Sequence, residues 1–244
     1  MMVTCDFHNH SCLSPCGSLE QPPSVLARLA AGRGVQLIAL TDHNSALNTP
    51  AFAECARREG IRALYGMETC TIEEVHVLCL FNEPEAALEF GAFLAELLPR
   101  VRYDPKRMGD QVVVDADENI IDQPDTYFGS ALDMAYGDLC DEADQWGALV
   151  IPAHIDRQMG GAINHLGFLP EGPYAAVEAV RPLPPGAALN YTVISGSDAH
   201  HPEHVARRPF LLDLPEGWDA TETIDLGTIR NALASGRVSL PYVQ

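Results

Sequence analysis

The sequence predicts an α/β fold of barrel type, in which mostly parallel strands alternate with helices. Short apolar runs and amphipathic helical patterns follow one another along the 244 residues, and 47% of the residues are hydrophobic, enough for one large core. His/Asp/Glu motifs come at the ends of the apolar runs, where functional groups gather in barrels. We therefore expect a single domain over residues 1–244, with its site at the strand ends.

The elements follow from apolar runs and from helix start and stop residues. The first helix, for example, begins with Pro22 and Pro23, which suit a first turn, and stops near Gly32 and Gly34. Strands are predicted over Val3–His8, Val35–Thr41, Ile61–Gly66, Val75–Phe81, Ala148–Ala153, Ala176–Val180, Val193–Gly196 and Phe210–Leu214. Helices are predicted over Pro22–Arg33, Thr49–Glu59, Pro84–Leu98, Ala131–Trp146 and Leu226–Ser235.

Residues 100–129 interrupt this alternation. Gln111–Val114 and Ile120–Asp122 flank an acidic turn, Asp115–Asn119, which predicts an inserted β-hairpin. The turn lacks the ligand spacing and terminal Glu of a calcium loop, so a solvated turn is favoured. From its position, we expect the insert to cover the site.

The composition indicates which partners and which cellular compartment to expect. The net charge of −19 disfavours anionic membranes and extended nucleic acid as partners, whereas small anionic substrates remain possible because bound divalent ions make the local potential positive. The seven cysteines are odd in number and scattered, which favours reduced thiols and a cytoplasmic location. No apolar run is long enough to span a membrane, and Met1–Asp6 lacks the layout of a signal peptide. The sequence does not specify an oligomeric state.

The first two motifs contain three candidate metal ligands. His8 and His10 are two residues apart, and on an extended strand such residues project to the same side, where both imidazoles can hold one ion. Asp42 and His43 end a buried run, where an unpaired charge would cost several kcal/mol. We interpret His43 as a ligand and Asp42 as the group that orients a ligand histidine.

The remaining candidates follow later strands. Glu68 is the carboxylate suited to bridging two ions, and His76 joins it from the next run. His154 follows another strand, and Asp198 with His200 repeats the two-residue spacing of the first motif. His165, His201 and His204 lie in loop-like segments and are interpreted as exposed. Imidazole and carboxylate are ligands for Zn, Fe and Mn, and this number exceeds the needs of one ion.

Taken together, these motifs resemble those of the PHP (polymerase and histidinol phosphatase) family, over nearly the whole chain. Cys12–Gly17 and Glu73–Leu78 resemble a bacterial stand-alone subgroup. The resemblance implies a distorted (β/α)7 barrel, here with an inserted hairpin, and a trinuclear metal site that hydrolyses phosphate esters. It implies two or three divalent ions, with His8, His10, Glu68 and Asp198 at the first, Glu68, His76 and His154 at the second, and His43 and His200 at the third.

Cys16 is a departure from the family pattern, which commonly has Asp or His at this position of the third site. A thiolate can ligate and favours Zn or Fe over Mn. A disulfide between Cys12 and Cys16 is not expected in a reducing cytosol.

The chemistry implied is attack of a metal-activated hydroxide on phosphorus, most simply in a small phosphomonoester. Asp198 and His200 are candidates for proton transfer, and Arg157 for gripping a substrate phosphate, although a surface ion pair fits Arg157 equally well. Two other functions remain open. One is a phosphodiesterase or exonuclease on short oligonucleotides, and the other is a non-catalytic metal-binding module.

Overall fold

The strands and helices alternate as the sequence predicts in a computed structural model, which describes residues 1–216 and 225–241. The strands are β1 (Met2–Asp6), β2 (Leu37–His43), β3 (Arg62–Cys70), β4 (His76–Phe81), β5 (Val113–Val114), β6 (Ile120–Asp122), β7 (Leu149–Pro152), β8 (Val177–Glu178), β9 (Val193–Ile194), β10 (Phe210–Asp213) and β11 (Val238–Ser239). The helices are α1 (Pro23–Gly32), α2 (Thr49–Glu59), α3 (Pro84–Ala95), α4 (Pro105–Met108), α5 (Tyr136–Gln145), α6 (Ala162–Leu166) and α7 (Leu226–Ala234).

Seven strands form one sheet, in the order β11-β10-β1-β2-β3-β4-β7. The strands β8 and β9 form a separate parallel pair. Parallel bridges between Val150 and Tyr174 and between Asn9 and Ala199 tie the segments around that pair to β7 and β1. The α/β fold of distorted barrel type is therefore confirmed.

The expectation of mostly parallel strands is wrong for the large sheet. Only the β1–β2 and β2–β3 pairs are parallel, whereas β3–β4, β4–β7, β1–β10 and β10–β11 are antiparallel. The cause at β4 is the connection from Cys70 to His76, which is too short for the crossover that parallel neighbours need. As a result, β4 runs opposite to its neighbours, and His76 begins its strand instead of ending it.

The core lies on both faces of the sheet, as alternation along β2 shows. Leu37 and Ala39 pack in a cluster with residues of β1, β7, β10 and α7, whereas Ile38 and Leu40 pack with α1 and α2 on the other face. A third cluster joins β4 to α3 and α5. Because both faces of the sheet are covered by apolar packing, the polar side chains gather at one end of the sheet.

Two helices differ in extent from the prediction. The helix predicted from Ala131 begins at Tyr136, because the backbone N–H groups of Leu132 and Asp133 donate to Cys70 O and Leu97 O instead of starting a helical turn. The helix from Pro84 ends at Ala95 and not at Leu98.

The inserted hairpin is confirmed, with β5 and β6 paired antiparallel. Its attachment to the body is through Asn48, whose side chain donates to Val112 O at 3.1 Å and accepts from Val114 N at 3.0 Å. The described helices include none with the length and apolar character needed to cross a membrane.

Candidate metal centre

Six histidines and two carboxylates meet at one end of the sheet, and most of them are fully buried. The ligand atoms of three groups lie within 4.8 Å of one another among the described residues. These groups are His8, His10, Glu68 and Asp198; His43, Glu68 and His76; and His10, His43 and His200. The structure thus brings together His8, His10, His43, Glu68, His76, Asp198 and His200.

Hydrogen bonds on the outer side of the first two rings fix their orientation. Glu178 Oε2 lies 2.7 Å from His8 Nδ1, and Ser14 Oγ lies 2.9 Å from His10 Nδ1. Ser14 in turn donates to Asp42 Oδ1 at 2.7 Å. Because Nδ1 of each ring is the donor in these contacts, the lone pair is on Nε2, and it faces the centre. Asp42 therefore orients His10, as expected, but does so through Ser14.

Glu178 was missed by the sequence analysis. It lies within a predicted strand, Ala176–Val180, and is almost completely buried. A buried carboxylate needs a partner, so an acidic residue inside an apolar run was the available indication.

Glu68 occupies the middle of the cluster. It lies in β3, where it is the direct partner of His43 on the neighbouring parallel strand β2. Its Oε1 is 2.7 Å from His76 Nδ1 and 2.8 Å from His154 Nε2. Its Oε2 is 3.3 Å from His43 Nδ1. One carboxylate thus reaches three histidines from three strands or strand ends, as a bridging ligand must.

His154 and Asp198 are held in the left-handed backbone region, with φ of 29° and 47°. Non-glycine residues there cost of order 1–3 kcal/mol and cluster at functional sites. The spacing of Asp198 and His200 does not reflect an extended strand, since β9 has already ended at Ile194. Instead, His10 N donates to Ala199 O at 3.0 Å, which places this segment beside the first motif.

The rings of His76 and His154 lie so close to Gly160 that only glycine fits at this position. Its φ is +75°, and a Cβ there would lie 2.8 Å from both His154 Cε1 and His76 Cγ. Its carbonyl accepts from His76 N at 2.8 Å. Any side chain at this position would push these rings away from Glu68.

The distances fit a metal ion between the donor atoms. His8 Nε2 and His10 Nε2 are 3.3 Å apart, and Asp198 Oδ1 lies 3.4 and 3.3 Å from them. Tetrahedral Zn ligands about 2.0–2.1 Å from the ion are separated by about 3.3–3.4 Å. Glu68 Oε2 is buried and accepts no hydrogen bond from any described residue, although His10 Nε2 is 3.2 Å away. The donor set therefore fits a divalent transition metal.

The close packing of acidic and basic groups in the cluster shifts their pKa values. Burial lowers the pKa of His8, but the charges of Glu178, Glu68 and Asp198 outweigh it and raise the pKa well above the usual range. Burial raises the pKa of Glu68, but the surrounding histidines lower it well below its usual range.

His200 and His43 show the opposite shift, toward a lower pKa. Burial, with the neighbouring His10, lowers the pKa of His200 to about 4, and burial also lowers the pKa of His43 well below its usual value. These two rings are therefore neutral at pH 7, the form that binds metal.

Cys16 is placed at the edge of the cluster. It lines a cavity of about 210 Å³ with His43 and His76, but among the described residues it joins none of the three ligand groups. Although part of its surface is exposed, desolvation of the thiol and the charge of Glu68 raise its pKa to about 12. All seven cysteines are free, so Cys12 and Cys16 are not bonded.

Arg157 reaches the centre from the loop after β7. Its backbone N–H donates to His154 O at 2.8 Å, and this turn directs the guanidinium onto Asp198 Oδ2. The side chain is 43% exposed. It can therefore contact both the cluster and a ligand entering from solvent. Of the histidines expected to be exposed, His165 and His201 are exposed and His204 is half-buried; His165 Nδ1 also lies 3.0 Å from Glu73 O.

Comparison with solved structures shows the same fold. Endonuclease Q from Pyrococcus furiosus, a lesion-specific endonuclease, matches with a TM-score of 0.64 at 15% identity, over 98% of this chain and 58% of the other. A proposed metal-dependent phosphoesterase from Bifidobacterium adolescentis matches with a TM-score of 0.58 at 17% identity, over 95% and 96% of the two chains.

These neighbours overturn the expectation of a small phosphorylated partner that excludes extended nucleic acid. Endonuclease Q has also been solved with a 27-mer duplex whose abasic lesion lies at the active site, and that structure matches with a TM-score of 0.60. The exclusion was wrong because it used the net charge of the whole chain. The field at a binding site depends on local charges and bound cations instead.

Sequence relatives point to the same family. DNA polymerase III PolC-type from Streptococcus suis is 32% identical over 89 residues, and its Streptococcus pneumoniae serotype 4 counterpart is 30% identical. The match spans 36% of this chain but only 6% of those polymerases. Residues 6–124, which include His8, His10, His43, Glu68 and His76, match the PHP domain. The resemblance seen in the motifs is thereby confirmed for this segment, which matches the PHP domain over just under half of the chain.

Proposed function

We propose that this chain hydrolyses phosphodiester bonds of nucleic acid, using two or three divalent transition metal ions, Zn, Fe or Mn, held by the buried cluster. The observation that carries the proposal is the spacing of His8 Nε2, His10 Nε2 and Asp198 Oδ1, which are 3.3–3.4 Å apart in a buried centre. The nucleic-acid substrate is supported by the endonuclease Q neighbour and the polymerase relatives.

The residues divide into three ligand sets. His8, His10, Glu68 and Asp198 would hold the first ion, and Glu68 would hold the second together with His76 and His154. His43 and His200 hold the third, where His10 also lies within reach. Cys16 is the remaining candidate at this third position, from the cavity edge. Bound divalent ions lower the pKa of water and neutralise charge that develops on phosphoryl oxygens.

Arg157 binds the phosphate in this proposal. Its guanidinium forms two parallel hydrogen bonds to oxyanions, and its contact with Asp198 places it beside the first ligand set. We expect Arg157→Ala to raise the KM for a phosphodiester more than it lowers kcat, as measured by initial rates over a range of substrate concentrations.

Proton transfer falls to Asp198 and His200. His200 Nδ1 donates to Asp198 O at 3.1 Å, and its low pKa leaves the ring neutral at neutral pH, so the Nε2 lone pair can bind an ion at the third set or, where that set holds no ion, accept a proton. Asp198 has a pKa held well below its usual range by His8 and His10 despite burial, so it remains a carboxylate.

The test is hydrolysis by protein purified without chelator and supplied in turn with Mn, Fe(II) and Zn. The substrates are single- and double-stranded DNA and RNA, bis(p-nitrophenyl) phosphate and p-nitrophenyl phosphate. We expect cleavage of diesters that Asp198→Asn abolishes. The matched control, Asp141→Asn, makes the same change on an exposed face of α5 and leaves the rate unchanged.

Two results would contradict the proposal. Hydrolysis confined to p-nitrophenyl phosphate would show a monoesterase. Metal-loaded protein that is inert on all substrates would instead show a binding module.

A further inference from the structure

A patch of positive charge lies on the inserted segment. We define this basic patch as Arg100, Arg102, Lys106 and Arg107, four of the chain's 15 basic residues. All four are exposed, and no ion pair joins any of them to a carboxylate within the described part of the chain. Arg102, Lys106 and Arg107 line one surface concavity of about 650 Å³.

The segment that carries the basic patch also contributes to the cavity beside the candidate ligands. Met108 lines the 210 Å³ cavity together with His43 and His76. Tyr103 stacks on Tyr127, which lines the same cavity, with ring centroids 5.7 Å apart. The patch therefore lies on the same segment of the chain as Met108, which lines the cavity.

The backbone that carries the patch is fixed against the loop that contains Pro15 and Cys16. Gly109 has φ of +91°, and a Cβ there would lie 1.8 Å from Pro15 O, so the two segments touch. Tyr103 donates from its hydroxyl to Gly109 O at 2.6 Å. These contacts fix the backbone that carries the patch against the loop of Pro15 and Cys16.

Two of the seven acidic residues of the insert are bonded to the body of the domain. Asp117 pairs with Arg58 at 2.7 Å, and Glu118 accepts from Ser24 at 2.6 Å, both on the side of α1 and α2. Asp104 lies within the patch, where it accepts from Lys106 N and caps α4. Asp110 is a second carboxylate nearby. The four basic residues of the insert are all within residues 100–107, on the segment that continues to Met108 at the cavity.

We propose that the basic patch binds the phosphate backbone of a nucleic-acid strand on one side of the bond that is cleaved. This inference rests on the proposed function, and it adds the path that the nucleic-acid strand takes across the surface. Exposed, unpaired Arg and Lys side chains are the groups that neutralise successive phosphates, and arginine forks bind them bidentately. The net charge of −19 repels a nucleic-acid strand from most of the surface. A strand is attracted only where the local charge is positive, which the basic patch and bound metal ions would provide.

The experiment compares two double variants that remove the same amount of charge. Arg102→Gln/Arg107→Gln changes two residues of the patch, and Arg28→Gln/Arg57→Gln changes two exposed arginines of α1 and α2. Binding of a fluorescent single-stranded oligonucleotide is measured by anisotropy over a range of salt, on chelator-treated protein. KM is measured with the same oligonucleotide and with bis(p-nitrophenyl) phosphate.

We expect the patch variant to weaken oligonucleotide binding about fivefold or more at low salt. We also expect it to reduce the salt slope by about 1.4, since each phosphate that is no longer neutralised lowers the slope by about 0.7. Its KM for the oligonucleotide rises, while its rate on bis(p-nitrophenyl) phosphate stays unchanged. The α1/α2 variant matches the parent in all four measurements.

The outcomes separate this inference from the proposed function. If the parent cleaves diesters but both variants bind the oligonucleotide equally, the patch inference is overturned and the proposed function stands. If the parent cleaves no diester but the patch variant alone loses binding, the proposed function fails and the patch stands. Equal binding of a polyglutamate chain by the parent would overturn the inference in favour of an unspecific anion surface.

Discussion

The metal centre and the inserted segment are adjacent but are built in opposite ways. The ligands of the centre are buried at the ends of strands, and their outer nitrogen atoms are held by Glu178 and Ser14. The insert is largely exposed, has two short strands, and contacts the body at a few points such as Asn48 and Pro15. In the function proposed above, the rigid centre would supply the chemistry, and the exposed insert would contact the substrate.

The strongest test of this division is removal of the bridging carboxylate. Glu68→Gln keeps the size of the side chain but removes its charge, and we expect loss of metal and of detectable diester hydrolysis, because Glu68 is shared between ligand sets. Metal is measured by elemental analysis and folding by circular dichroism. Full metal content in the folded variant would show that Glu68 is structural.

A smaller effect is expected at the residue that orients a ligand. Glu178→Gln weakens the charge-assisted hydrogen bond to His8, and changes of this kind typically cost about 10–100-fold in metal affinity or activity. Metal affinity is measured by competition with a chromophoric chelator. Glu89→Gln, on an exposed position of α3, serves as the control and leaves affinity unchanged.

The insert is tested by breaking its attachment. Asn48→Ala leaves Val114 N without its acceptor in a buried position, so we expect a loss of about 1–3 kcal/mol in the free energy of unfolding. Metal content and the rate on bis(p-nitrophenyl) phosphate should be retained, while oligonucleotide binding falls. Asn190→Ala, at an exposed loop position, should change none of these. Loss of metal on Asn48→Ala would mean that insert and centre form one unit.

The smallest effect concerns pH in the metal-free protein. Burial lowers the pKa of His76, but Glu68 overcomes this and raises it to about 10, from an ordinary value of 6.5. Protonated His76 therefore stabilises the metal-free fold below pH 6.5, and this contribution is lost as pH rises toward about 10.

Thermal unfolding with and without chelator measures this contribution. We expect the Tm of the metal-free protein to fall over that pH range and the Tm of the metal-loaded protein to fall less, because metal has already displaced the proton. Parallel curves would show that His76 does not bind metal.

Much of the fold and the cluster follows from sequence because local patterns determine them. Apolar runs located the main strands, and Thr49–Glu59 was predicted to the residue because Gly60 ends it in a left-handed conformation. The ligand residues were identified because His and Asp at the end of an apolar run need partners.

What sequence could not provide depends on long-range packing. The reversal of β4 depends on how a short connection folds back, and the left-handed Asp198 depends on the Asn9–Ala199 bridge. Glu178 is 170 residues from His8, so no local pattern pairs them. The basic patch was overlooked because its charges count for little in a net of −19 and matter only once they are placed beside the cavity.

The central claim is that the buried cluster is a metal centre that hydrolyses phosphodiesters. The most direct measurement is the rate on bis(p-nitrophenyl) phosphate as metal-stripped protein is titrated with Mn or Zn, with bound metal determined at each step. We predict no hydrolysis without metal and a rate that rises with occupancy until at least two ions are bound per chain. A rate independent of bound metal, or no rate at full occupancy, would contradict the claim.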